Sequence, residues 1–183
     1  MKTNKSIRVS DYICIKLLDV GIDTAFLITG GGSMHLNDAI TRNKSIKSHF
    51  LHHEQSLAMA AEGFFRSSRK AAIVNVTTGP GAINAINGVF GAFVDSIPMF
   101  VLSGQVKTST MLYDSAKNLR QLGDQEANIY NLVKPVVKYI STPKNIEEAI
   151  IALKKAVFFF QNGRPGPVWL DIPIDLQSSI INF

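Results

Sequence analysis

The residues whose types and spacing suit chemistry gather in a few short stretches rich in glycine and polar side chains. These are TGGGS (29–33), HHEQ (52–55), TTGPGAIN (77–84), DSIP (95–98), SGQV (103–106) and DIP (171–173). Glu54 stands foremost. It closes the passage HFLHHEQ and precedes an apolar, alanine-rich helix, so its carboxylate lies near the positive end of that helix's dipole in a partly buried place. Taken alone, a first-turn glutamate stabilised by the dipole is the plainer reading and is preferred over a catalyst. His52 and His53 are neighbours on an extended segment and point to opposite sides, so they do not make a joint metal site. In TTGPGAIN, glycines beside a proline form a rigid turn that lets a ligand approach the backbone. The helix after it presents free N–H groups at the same place. A tight strand–helix connection explains that turn equally well. No lysine follows its second glycine, and TGGGS does not match GxGxxG, so neither phosphate-loop fingerprint is present. Asp95 and Ser96 can close a helix and start a turn, and Arg164 reads as either an exposed charge or an anion clamp.

The elements that must position these residues alternate between helix and strand. Ser10 is placed to cap a helix carrying Ile13, Leu17 and Leu18 and stopping at Gly21. Strands are expected at 24–28, 46–51, 71–76, 99–102, 136–140 and 168–172. Helices are expected at 34–40, 57–65, 82–93 and 146–160, the last opened by Asn145, with an irregular stretch at 104–123. Continuously apolar strands between helices argue for an α/β fold, a doubly wound, mostly parallel sheet with helices on both faces. In such sheets ligands bind beyond the carboxyl ends of the strands, where these polar stretches fall. Residues 1–9 are expected to be a flexible N-terminus, 10–175 a single domain, and 176–183 the start of a connection to another domain.

Composition sets the outer bounds. A length of 183 residues with 46% hydrophobic and 18% charged side chains suits one globular domain with a real core. Met1–Arg8 is polar and basic with no apolar run behind it, unlike a secretory signal. No apolar stretch reaches the roughly 20 residues of a membrane helix. The net charge of +5 is scattered rather than striped, so neither a nucleic acid nor a membrane is expected as partner. The lone cysteine, Cys14, excludes an internal disulfide and points to a reducing cytoplasm.

In combination the stretches say more. AFLITGGGSMHLNDAI, HHEQSLAMAAEGFFR, TTGPGAINAINGVFGAFVDSIP, SGQV, DQE and GRPGPVWLDIP, in this order, resemble the N-terminal, pyrimidine-binding domain of thiamine diphosphate enzymes, most closely acetolactate synthases. The likeness runs from about Asp11 to Gln177. It implies that Glu54 hydrogen-bonds the N1′ nitrogen of the cofactor's aminopyrimidine, favouring the tautomer that activates the thiazolium for attack on a 2-keto acid. The ring then serves as electron sink for decarboxylation and carboligation. By the same likeness Pro80 and Asn84 line the cofactor pocket, Gly30 and Gly31 edge the reaction space, and Gln125 lies near the substrate. Ser96 and Arg164 fall where acetolactate synthases contact a flavin (FAD) without a redox role.

Departures accompany the likeness. Thr29 stands where the family has a proline, Asp124 precedes the glutamine where an aromatic is common, and the segment Lys107–Leu122 is longer than the usual connection. These changes bear on the acceptor substrate and leave the chemistry of Glu54 intact. The family holds its diphosphate through Mg²⁺ with a GDG motif, which this chain lacks. The resemblance therefore implies a diphosphate-binding domain on the same or a partner chain, a homodimer or larger assembly, and no turnover by the isolated chain. Three alternatives stay open. One is the pyrimidine subunit of a two-chain 2-keto acid decarboxylase, the arrangement of sulfopyruvate decarboxylase. Another is a related carboligase with a substrate other than pyruvate. The third is a non-catalytic binding module.

Overall fold

In the computed structural model, residues 6–112 and 118–182 are described. Thus 1–5 of the expected flexible terminus and 113–117 of the long 107–122 segment lie outside the described residues. Strand β1 (Ser6–Arg8) leads into helix α1 (Val9–Asp19), followed by β2 (Thr24–Leu27), α2 (Met34–Arg42), β3 (Lys47–Phe50), α3 (Glu54–Ser68), β4 (Ile73–Val76), α4 (Pro80–Val94) and β5 (Met99–Gln105). A short helix α5 (Ile129–Val133), β6 (Tyr139–Ser141), α6 (Ile146–Gln161), β7 (Pro167–Pro173), α7 (Ile174–Ser178) and β8 (Ile180–Asn182) complete the chain. Six strands form one sheet in the order β3-β2-β4-β5-β7-β6, and every pairing is parallel. The doubly wound α/β expectation is met. Separately, β1 pairs antiparallel with β8, Ile7 opposite Ile181, and so ties the two ends of the described chain together.

Period-two alternation along the strands divides the core into two layers. Leu27, Ile73, Phe100, Leu102, Val168 and Leu170 face α1, α2 and α6, packing on Ile13, Leu17, Leu36, Ile40 and Leu153. Val74, Val76, Met99, Val101 and Trp169 face the other way, against α3, α4 and α5 through Leu57, Ala58, Ala85, Val89, Ile129 and Val133. The central strands β4, β5 and β7 are buried throughout, hence their mostly apolar sequences. Edge strand β3 is mostly exposed and carries KSHF.

Local chemistry explains the boundaries. Asn145 accepts from the Glu148 N–H (2.9 Å) while its amide donates to Oε1 of Glu148 (2.8 Å), a reciprocal cap that starts α6 as expected. Gly21, at φ 82°, takes the left-handed turn after α1. Ser10 lies inside α1 and does not cap it: Arg8 is the N-cap, and the buried Ser10 hydroxyl has no hydrogen-bond partner among the described residues. Helix α3 begins at Glu54, three residues before the expected Leu57, and β5 runs to Gln105 rather than Leu102. The strand expected at 136–140 sits later, at Tyr139–Ser141, because Pro135 holds 134–136 in a 3-10 turn. Helix α5 has no counterpart among the expected elements.

Candidate active site

Because all six strands of the sheet are parallel, their carboxyl ends share one edge. There β2 continues into α2 on one face, whereas β4 continues into α4 on the other. The connections diverge between β2 and β4 and open the crevice in which doubly wound sheets bind ligands. TGGGS forms one wall and TTGPG the other. The backbone N–H of Gly32 donates to the Thr77 hydroxyl (3.1 Å) and fastens the two walls together.

Glu54, half-buried, is the first residue of α3 at this edge. Helices α3 and α4 cover the same sheet face and run parallel, touching in matched steps. Asn84 donates its Nδ2 to Glu54 Oε2 (3.1 Å). One turn on, Gly88 lets Ala58 approach to 2.6 Å of where a Cβ would stand; next, Gly91 faces Glu62. Finally Arg66 pairs with Asp95 and with Glu62. Side by side, the helices present two N-termini to one carboxylate. Glu54 Oε1 lies 3.2 Å from the Cβ that Gly81, in the first turn of α4, does not have. The positive ends of both dipoles favour an anion at that point. One carboxylate oxygen is held by Asn84; the other faces a cleared backbone. This arrangement can accept a hydrogen bond from a planar heterocycle stacked over the turn. Pro80, exposed at the first position of α4, borders the same space.

The glycine wall is sterically selective. A Cβ on Gly30 would lie 2.3 Å from Cβ of Thr77, and one on Gly32 would lie 1.7 Å from Oγ1 of Thr78. Gly31 is exposed, and a Cβ there would meet nothing within 4 Å. Nothing in the described chain requires glycine at that position. Gln177 secures the loop from below, donating to the Gly32 carbonyl (2.7 Å) and accepting from the Leu36 N–H (3.3 Å).

Gln125 meets the site through its backbone. It adopts φ 55°, and its carbonyl oxygen is 1.9 Å from where a Cβ on Gly79 would stand. Gly79, at φ 57°, has no side chain to obstruct that contact. The Gln125 side chain itself is exposed. Glu126 closes its loop by accepting from the N–H of Leu112 (2.6 Å) and of Gly123 (3.3 Å).

Ser96 and Arg164 are brought together, but apart from Glu54. Arg164 Nε donates to Ser96 Oγ (2.6 Å) and its Nη2 to the Val94 carbonyl (3.1 Å). Both residues sit at the far end of α4, on the amino-terminal edge of the sheet. From Asn84 to Val94 the helix axis covers about 15 Å. A ligand touching Arg164 therefore occupies a different place from one touching Glu54.

Several polar residues of this edge carry no individual role in the sequence analysis, although SGQV and DIP stand among its polar stretches. Asp171 is fully buried and accepts from Ser103 Oγ (2.6 Å), Gln105 Nε2 (3.0 Å) and Thr142 Oγ1 (3.4 Å). Burial pushes its carboxyl up to about 7, against the pull of those three donors. Trp169 Nε1 donates to Ser103 Oγ (2.7 Å). Beneath the glycine wall, Asn75 Nδ2 donates to Asn37 Oδ1 (2.6 Å) and Asn37 Nδ2 to Ser33 Oγ (3.1 Å). Polar letters inside an apolar strand, NV in IVNV and SGQ after MFVL, were the available signal.

A six-stranded parallel α/β sheet with a carboxylate between two helix starts at its switch point has the form of a ligand-binding domain. The chain belongs to the thiamine pyrophosphate enzyme family, as its N-terminal TPP binding domain; residues 7–128 match that family. It is similar to the acetolactate synthase large subunit of Buchnera aphidicola subsp. Acyrthosiphon pisum, 37% identical over 167 residues, covering 91% of this chain and 28% of that protein. The acetolactate synthase isozyme 3 large subunit of Escherichia coli K12 is also 37% identical over the same shares of each chain. The chloroplastic acetolactate synthase of Arabidopsis thaliana is 35% identical over 171 residues, 93% of this chain and 24% of that one. The chain thus spans about a quarter of the length of these relatives.

Proposed function

We propose that this chain is the pyrimidine-binding part of a thiamine-diphosphate-dependent enzyme that decarboxylates a 2-keto acid and joins the product to a second carbonyl compound, as an acetolactate synthase does. The observation that carries this reading is the Glu54–Asn84 pair at the start of two parallel helices. The residues fit the group. Glu54 has one oxygen restrained and one facing Gly81, which suits a hydrogen bond to a ring nitrogen in a crevice where low dielectric strengthens it. Asn84 fixes the carboxylate's orientation, Pro80 bounds the ring, and Gly30 and Gly31 leave room for substrate. When bound, thiamine diphosphate supplies the electron sink for loss of carbon dioxide.

The diphosphate and its Mg²⁺ belong, in this reading, to a second domain of the same or a partner chain, in a homodimer or larger assembly; this chain alone turns over nothing. Exposed apolar residues Ile83 (44%), Phe90 (51%) and Val94 (53%) support a covering partner. Spaced seven and eleven residues on from Ile83, they make a stripe along α4 beside Asn84. Ser96 and Arg164 are the residues for a structural flavin, which a yellow colour in the purified enzyme would reveal and a colourless, fully active enzyme would exclude. Buried Cys14 suits the cytoplasm. Thr29 and Asp124 favour a second reading of the substrate, a 2-keto acid or acceptor other than pyruvate. Carbon dioxide release from a panel of 2-keto acids, by the protein with its diphosphate-binding domain, thiamine diphosphate and Mg²⁺, tests the function. Release with none of them would reject it.

A further inference from the structure

The structure assigns Gln105 as a positioning residue. Held by buried Asp171, it anchors the segment that carries Gln125 against the turn at Gly79. The inference rests on the proposed function for its catalytic consequence, though not for its geometry.

Gln105 ends β5, fully buried, on the sheet face covered by α4 and α5. Every polar capacity of its amide toward the site is used. One Nε2 hydrogen goes to Asp171 Oδ2 (3.0 Å) and the other to the Ala127 carbonyl (3.0 Å), while Oε1 accepts from the Val106 N–H (2.9 Å). Asp171 is itself fixed by Ser103, its neighbour in the β5–β7 register, and by Thr142. A side chain locked at both ends is a strut between rigid strands and a loop. Ala127 lies two residues from Gln125, whose backbone occupies the space beside Gly79. Gly79 precedes Pro80, where α4 and the support of Glu54 begin. The connection therefore runs Asp171, Gln105, Ala127, Gln125, Gly79. Gln125 holds positive φ, which a residue other than glycine keeps only where its surroundings impose it. Without the strut, the walls near Glu54 remain, but the segment facing them loses its anchor. Small displacements of a positioning segment are costly to reaction rate.

The test compares Gln105→Met, similar in length but without donors, with Ser103→Ala, which weakens the same buried network yet leaves the Gln105–Ala127 contact in place. Two readouts are taken on the purified protein: amide hydrogen exchange of residues 121–128, with β4 as internal control, and, with the diphosphate-binding domain present, kcat/KM for the 2-keto acid beside the Kd for thiamine diphosphate. Gln105→Met is expected to speed exchange of 121–128 about tenfold with β4 unchanged. It should also lower kcat/KM about tenfold with cofactor affinity kept. Ser103→Ala should leave both near wild type even if its thermal stability falls. Unchanged exchange in Gln105→Met, or equal losses in the two variants, would overturn the assignment. Faster exchange with unaltered kcat/KM would overturn its catalytic part. A wild-type protein without thiamine-dependent turnover would reject the functional reading instead, and the exchange comparison would still decide whether Gln105 holds the segment.

Discussion

Asn84 and Glu54, thirty residues apart, join the N-terminal parts of two parallel helices through a 3.1 Å hydrogen bond from amide to carboxylate. That contact follows from topology. Two successive right-handed crossovers on one sheet face must lay their helices side by side with their N-termini at the same edge. Gly88 then brings them close enough for the pairing to repeat along their length.

Replacing Asn84 by aspartate sets a second carboxylate against Glu54 in place of a donor. A hydrogen bond to a charged group contributes about 1.5–3 kcal/mol, so thiamine diphosphate affinity should fall at least about tenfold. Isothermal titration of the enzyme with cofactor and Mg²⁺ measures this; unchanged affinity would show that Asn84 does not orient the glutamate.

The glycine wall offers a paired comparison. Gly30→Ala forces a methyl onto Thr77 and should cost about 1–3 kcal/mol of stability. Gly31→Ala meets open space and should change stability by no more than about 0.5 kcal/mol. It should nonetheless lower activity, most for the bulkiest 2-keto acids, because the added methyl enters the room left for substrate. Urea denaturation and a substrate panel read the two effects separately.

Asp171 gives stability a pH dependence of definite sign. Burial raises its carboxyl from the ordinary 3.8 to about 7, so between these values the native state keeps a proton that the unfolded chain has released. The contribution is complete below pH 3.8, declines as pH rises toward 7, and is gone above it. Relative to Asp171→Asn, the wild type should lose stability from pH 5 to pH 8 in urea titrations. A constant difference would mean that Asp171 is ionised throughout.

Much of the fold was legible because its signals are local. Mostly apolar strands announced β4, β5 and β7, and Asn145 announced α6. The position of Glu54 was legible too, but its partner was not: no spacing rule relates residue 54 to residue 84, and only the sheet order brings them together. Gln105 and Asp171 were hidden for a related reason. Each is a polar letter in the carboxyl-terminal half of a mostly apolar strand, and burial beside the other becomes visible only when β5 and β7 are known to be neighbours. Ser96 and Arg164 were read as a pair by resemblance, yet their separation from Glu54 by the length of α4 is a tertiary fact. Helix α5 escaped notice because five residues are too few to show a helical period.

The central claim is that Glu54 activates a bound thiamine ring, and Glu54→Gln in the complete enzyme tests it most directly. Glutamine keeps the shape and the bond to Asn84 but removes the carboxylate. Turnover of the 2-keto acid at saturating cofactor should fall by about 10²–10⁴-fold, with fold and melting temperature retained. A folded Glu54→Gln enzyme with wild-type turnover would contradict the account.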